Sequence, residues 1–144
     1  MIKNAKNGIT LVSLVIYITL FTTFTLFVSG ISNNMNERLF SNRGEAINYT
    51  NLNKLQYNFE NSALNSNDVI LNGNQISYSN GDNYWYDTTQ KIIYKNGGVL
   101  CLNVENFWAT VDENLNEKKV TVNVSFNKYL STMTRQIITS VEGV

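Results

Sequence analysis

Histidine is absent from the 144 residues, and cysteine occurs once, at Cys101. Neither a Cys–His pair nor a Ser–His relay can therefore be built within the chain. Cys101 stands between Leu100 and Leu102, a setting in which a thiol reads as a small packed side chain rather than a nucleophile. A single cysteine also excludes an intramolecular disulfide. No Gly-rich phosphate cradle follows a strand-like segment, and the acidic pair Asp112-Glu113 reads as the solvating part of a polar loop. The aromatic run Tyr84-Trp85-Tyr86 has two readings. In a strand, Tyr84 and Tyr86 share one face and Trp85 takes the other, which suits a sheet with one ring face in the core. The same run could instead form a patch for a neighbouring subunit or a ligand, since Trp and Tyr are enriched at interfaces. The chain reads as no enzyme.

The residues that do suggest chemistry lie at the other end, around Lys6-Asn7-Gly8-Ile9-Thr10-Leu11. They must be understood through the segment they introduce. From Ile9 to Ser29 no residue is charged, and the run closes at Gly30. At about 1.5 Å of rise per residue, roughly 20 such residues make a helix about 30 Å long, enough to cross the hydrocarbon of a bilayer. A helix also satisfies its own backbone groups there. The preceding eight residues carry Lys3 and Lys6 and no acid, which predicts a cytoplasmic N-terminus with everything after Gly30 outside. The apolar run exceeds the roughly 7–15 residues of a secretory h-region, and no Ala-x-Ala-like cleavage site follows it.

A short basic leader ending in glycine, then Ile9-Thr10-Leu11-Val12, resembles the leader and mature start of type IV pilins and pseudopilins. The resemblance covers about the first thirty residues. It implies that a prepilin peptidase cuts between Gly8 and Ile9 and methylates Ile9. It further implies that residues 9–30, with Leu11, Ser13 and Leu14 near the start, form the helix that packs with other pilin or pseudopilin subunits. One position departs from the family pattern: the fifth mature residue, usually Glu, is Ser13. In the family that carboxylate is thought to neutralise the N-terminal amine of a neighbouring subunit. Ser13 supplies no charge. It reads either as a tolerated helix residue, bonded back to the Ile9 carbonyl, or as the mark of a tip subunit that does not dock below another. Some pseudopilins bind calcium, and Asp82, Asp87, Asp112 and Glu113 could supply oxygens. No ordered Asp-x-Asp-x-Asp-Gly loop is present, however, and no cofactor is expected.

Removing the leader leaves nine basic against eleven acidic side chains, a poor footprint for nucleic acid. The remainder of the chain, 31–144, has room for one domain of about 100 residues with a single core. Ile31, Met35 and Leu39 fall at one-face helical spacing, as do Leu52, Leu55 and Phe59. This predicts one helix from about Ile9 to about Leu64, with an amphipathic second half lying on something apolar and Gly44 as a weak point or bend. Short strands are predicted at 69–71, 75–79, 83–87, 91–95, 99–104, 107–111, 120–126 and 135–141, with Asn-Gly turns between several of them. Leu100, Leu102 and Val104 are expected to share a face. Val120, Val122, Val124 and Phe126 give a period of two with one buried side. Helix first and antiparallel strands after it make an α+β order, which agrees with a pilin-like helix packed on an antiparallel sheet. The tail from Leu102 onward further resembles the minor pseudopilins typified by the J subunit of type II secretion.

Three classes of function remain on these residues. One is a membrane-held minor pilin or pseudopilin that joins an extracellular filament for motility, secretion or competence. Another is a single-pass anchored binding domain that never assembles, and the last is an ordinary secreted protein that loses the whole apolar run.

Overall fold

The computed structural model describes residues 3–114 and 117–142, with side chains described from 10 onward. Helix α1, Lys3–Leu64, is followed by β1 (Val69–Asn72), β2 (Gln75–Tyr78), β3 (Asn83–Asp87), β4 (Ile92–Lys95) and β5 (Gly98–Cys101), then β6 (Val104–Asn114), β7 (Glu117–Lys128) and β8 (Ser131–Glu142). All neighbouring strands are antiparallel, and the long helix packs against them, which is the α+β arrangement expected. The chain divides into two units, Met1–Leu39 and Phe40–Val144, so the division falls beyond Gly30.

Within the second unit, α1 buries one stripe: Gly44, Asn48, Leu52, Leu55, Phe59, Ser62 and Ala63. The steps of three and four are the spacing of a single helix face. Phe59 stacks on Tyr84 at 4.4 Å between centroids, and Tyr78 meets Tyr84 edge-on at 5.9 Å. Offset and edge-to-face ring pairs of this kind add about 0.5–1.5 kcal/mol beyond the area they bury. Ile31, Met35 and Leu39, by contrast, stay exposed. The apolar support expected for the whole second half of the helix therefore begins only near Gly44.

The strands form two sheets rather than one: β1-β2-β3-β4-β5 and β6-β7-β8. Asn96 and Gly97 both have positive φ between the paired ends Lys95 and Gly98, as a two-residue turn matched to strand twist requires. The break between sheets falls at Leu102-Asn103, where Asn103 adopts φ 60°. A register shift at Ile93/Tyr94 precedes it. Together these overturn the expected shared face: Leu100, Cys101 and Val104 are buried, while Leu102 is exposed. In sheet two the register is as expected, with Val120, Val122, Val124 and Phe126 all buried. The predicted polar loop 112–118 is mostly strand. Asp112 lies opposite Lys119 and Glu113 opposite Lys118, and opposite charges across a ladder support pairing. Lys118 also bonds Asp68 at 2.8 Å.

Gly44 lies inside the continuous helix α1, and it serves a close approach. A Cβ at this position would collide with the backbone carbonyl oxygen of Lys128 and lie 3.0 Å from the Ser131 Cβ. The β7–β8 hairpin thus sits on the helix where the helix has no side chain. Its tip is held by Asn48 Nδ2 donating to the Ser131 carbonyl at 3.1 Å and by the Phe40–Tyr129 ring contact at 5.9 Å. Gly44→Ala should lower stability by about 1–3 kcal/mol, because overpacking against backbone outweighs the roughly 1 kcal/mol that Ala gains in helix propensity. Gly30→Ala, where an added methyl meets nothing within 4 Å, should be neutral or stabilising. Thermal unfolding of the two variants checks the contrast.

Candidate membrane and assembly segment

Residues 10–29 of α1 are uncharged, and among the described residues this is the one helix long and apolar enough to cross a membrane. Leu11 and Leu14 are 65% and 58% exposed, and the apolar side chains that follow, through Val28, are exposed on every side of the helix. Ser13 is half-buried. Gly8 and Ile9 are described only as helical backbone, and the expected Ser13 bond to the Ile9 carbonyl lies outside the described residues. Threonine hydroxyls interrupt the run but are satisfied internally. Thr19, Thr22, Thr23 and Thr25 donate to the carbonyls of Val15, Ile18, Thr19 and Phe21 at 2.8–2.9 Å. A hydroxyl bonded four residues back needs no water, which removes most of its cost in an apolar medium.

Of the carboxylates considered for calcium, Asp82, Asp87 and Glu113 are engaged by partners within the chain. Asp87 Oδ1 accepts from the backbone N–H groups of Thr89 and Gln90 at 2.8 and 2.9 Å, fixing a turn. Glu113 pairs with Lys118 at 2.5 Å. No group of three or more His, Cys, Asp or Glu side chains converges among the described residues. Cys101 is buried and donates to the Asn51 carbonyl at 3.4 Å, and burial pushes its thiol up to about 12. It is protonated at any physiological pH and so a poor nucleophile. Trp85 lies outward from the buried Tyr84 and Tyr86, stacked on Tyr94 at 4.4 Å.

Asp82 sits in a cluster that the sequence did not announce. Its carboxylate accepts from Ser62 at 2.6 Å and from Asn96 at 2.9 Å, and pairs with Lys95 at 3.0 Å. Ser62 also lies 2.6 Å from the Tyr84 hydroxyl, which donates to the Asn58 carbonyl at 2.9 Å, while Lys95 reaches the Asn58 side chain at 3.2 Å. Helix and first sheet are thereby joined through polar atoms alongside the aromatic stack. The available signal was helical spacing: Ser62 lies three residues past Phe59 and ten past Leu52, on the same face. Asn48 and Gly44 extend that face backward in the same way.

No family model, curated protein or solved structure matches the chain. Its class rests on its own features: an α+β domain whose long first helix begins in a segment able to cross a membrane.

Burial opposes ionisation of Asp82, but hydrogen bonds from Ser62, Asn96 and Lys95 outweigh it and hold the carboxyl at about 2. A carboxyl with a folded value below its unfolded one stabilises the fold above pH ~4, and that contribution is lost as pH falls toward ~2. With solvent screening allowed for, about 1–2 kcal/mol is at stake. Denaturant titrations between pH 5 and 2 should therefore show an acid-side loss that is smaller in Asp82→Ala, a variant less stable than the parent at pH 7.

Proposed function

We propose that the chain is a minor pilin or pseudopilin subunit. A prepilin peptidase cuts it after Gly8 and methylates Ile9, and residues 9–30 then carry it from the cytoplasmic membrane into an extracellular filament used in motility, secretion or competence. The observation that carries this reading is the composition of α1. It is uncharged and exposed on all sides from 10 to 29, then becomes a one-sided stripe against an antiparallel sheet. Lys3 and Lys6 ahead of the run favour a cytoplasmic N-terminus. Lipid tails and neighbouring apolar helices are equally apolar, so close packing rather than hydrophobic transfer drives entry into the filament. Leu11 and Leu14 are the side chains offered first to such neighbours.

Processing separates this reading from a permanent single-pass anchor on a binding domain, which has no use for a cut at Gly8. The mature protein should begin at Ile9 and carry one added methyl by intact mass. Gly8→Arg should leave uncut precursor in the membrane. A mature start elsewhere, or no cut at all, overturns the proposal.

Ser13 fits a subunit at the filament tip, below no other. Ser13→Glu then places a carboxylate among apolar helices with no amine to meet it, at a cost of about several kcal/mol unless it is protonated. Filament numbers should fall while copies per filament stay at one or a few. Undiminished filaments with many copies would place the subunit along the shaft.

A further inference from the structure

The β6 strand enters the second sheet past two turns of the first, and a groove of about 540 Å³ lies where they meet. That is within the range of about 300–1,000 Å³ typical of small-ligand clefts. Its residues come from the β1–β2 turn (Asn74), the turn after β3 (Thr88), the start of β6, and the facing positions of β7 and β8. Tyr86 also lines the groove, its hydroxyl hydrogen shared between the carbonyls of Val104 at 2.9 Å and Glu105 at 3.1 Å.

Two features of the groove are at odds with a purely structural surface. Trp108 is 57% exposed, while its strand neighbour Phe107 is buried. The alternation of the strand thus presents an indole to solvent. Directly across the ladder from it stands Asn123, whose Nδ2 is shielded from bulk water and has no acceptor in the protein. A donor in that condition costs about 1–3 kcal/mol until something accepts from it. Asn106, Ser125 and Thr134 complete the wall, and each can both donate and accept. The charge of the groove is cancelled, because the Glu105 carboxylate is held by Lys91 at 2.7 Å.

We propose that this groove binds a neutral saccharide. An exposed indole offers a flat apolar face to the C–H side of a sugar ring, while amides and hydroxyls at its margin match the ring's hydroxyl groups. A phosphorylated or acidic ligand would need a free cation, and Lys91 is already paired. A purely apolar ligand would leave the Asn123 donor unsatisfied. The proposal stands independently of the filament reading.

The test uses the full chain in phosphatidylcholine nanodiscs, since glycoside detergents would compete for the groove. Calorimetric titration with chitotriose, maltotriose and a β-1,4-galactotriose probes soluble sugars, and co-sedimentation with purified peptidoglycan probes a wall polymer. Saturable binding in any of these is expected. Trp108→Ala should weaken it at least tenfold and Asn123→Ala at least threefold, while Trp85→Ala leaves it unchanged. Response to peptidoglycan alone identifies an envelope polymer as the source, and response to the soluble galactose or glucose trimers identifies an external glycan. Should Trp108→Ala lose its fold by thermal unfolding, Trp108→Phe and Asn123→Ala carry the test. Absence of binding to every probe, or binding that both groove variants leave within threefold of the parent, overturns the proposal.

Discussion

Leu55 and Phe59 are fully buried, and the rings of Tyr78 and Tyr84 close over Phe59 from the first sheet. That contact between a helix face and an aromatic sheet face is what the head depends on. Strands of four or five residues, as in β1 to β5, are marginal by themselves. Each side chain of this size taken from water contributes about 1.5–3 kcal/mol, and the helix supplies them in one continuous row. The second sheet joins the same core through Val120, Val122, Val124 and Phe126. Its hairpin can approach only because Gly44 leaves the helix surface bare. Polar atoms then fix the register of the contact, with Ser62, Asp82 and Lys95 at one end and Asn48 with Ser131 at the other.

The same helix has a different task between 10 and 29. There it buries nothing within the chain, and its only polar side chains are hydroxyls, four of them returned to its own backbone. A helix apolar all round is stable against lipid or other helices rather than against water. The sequence departs from this pattern abruptly after Gly30, where asparagines and charges begin. The stripe Ile31, Met35 and Leu39 lies beyond that point and is uncovered within the chain, which suits contact with neighbouring subunits under the proposed assembly.

The α+β order and the position of nearly every strand were legible because period-two runs and Asn-Gly turns are local signals. Val120 to Phe126 illustrates this, as does Asn96-Gly97. The division into two sheets was not legible, since it turns on a left-handed Asn103 and a register shift that leave no mark in hydrophobic periodicity. The stretch 112–118 was expected to be loop because charge was taken for solvation, whereas 112–114 and 117–118 are strand. Its charges are in fact paired across the ladder. Gly44 illustrates a further limit: its helix cost is visible locally, but its purpose lies in a carbonyl 84 positions away, at Lys128. Asn123 and Trp108 likewise become neighbours only through strand pairing.

The central claim is that the uncharged run of α1 packs against the same run of other subunits outside the membrane. Single cysteines placed in turn at Leu11, Leu14 and Ile18, in a Cys101→Ser background, and labelled with a thiol-reactive benzophenone, allow photo-cross-linking of material sheared from the surface of cells that produce the chain. The account predicts cross-linked species joining this chain to other short-leader subunits in the sheared fraction. Recovery of the chain solely from the membrane fraction, uncrosslinked at all three positions, would contradict it.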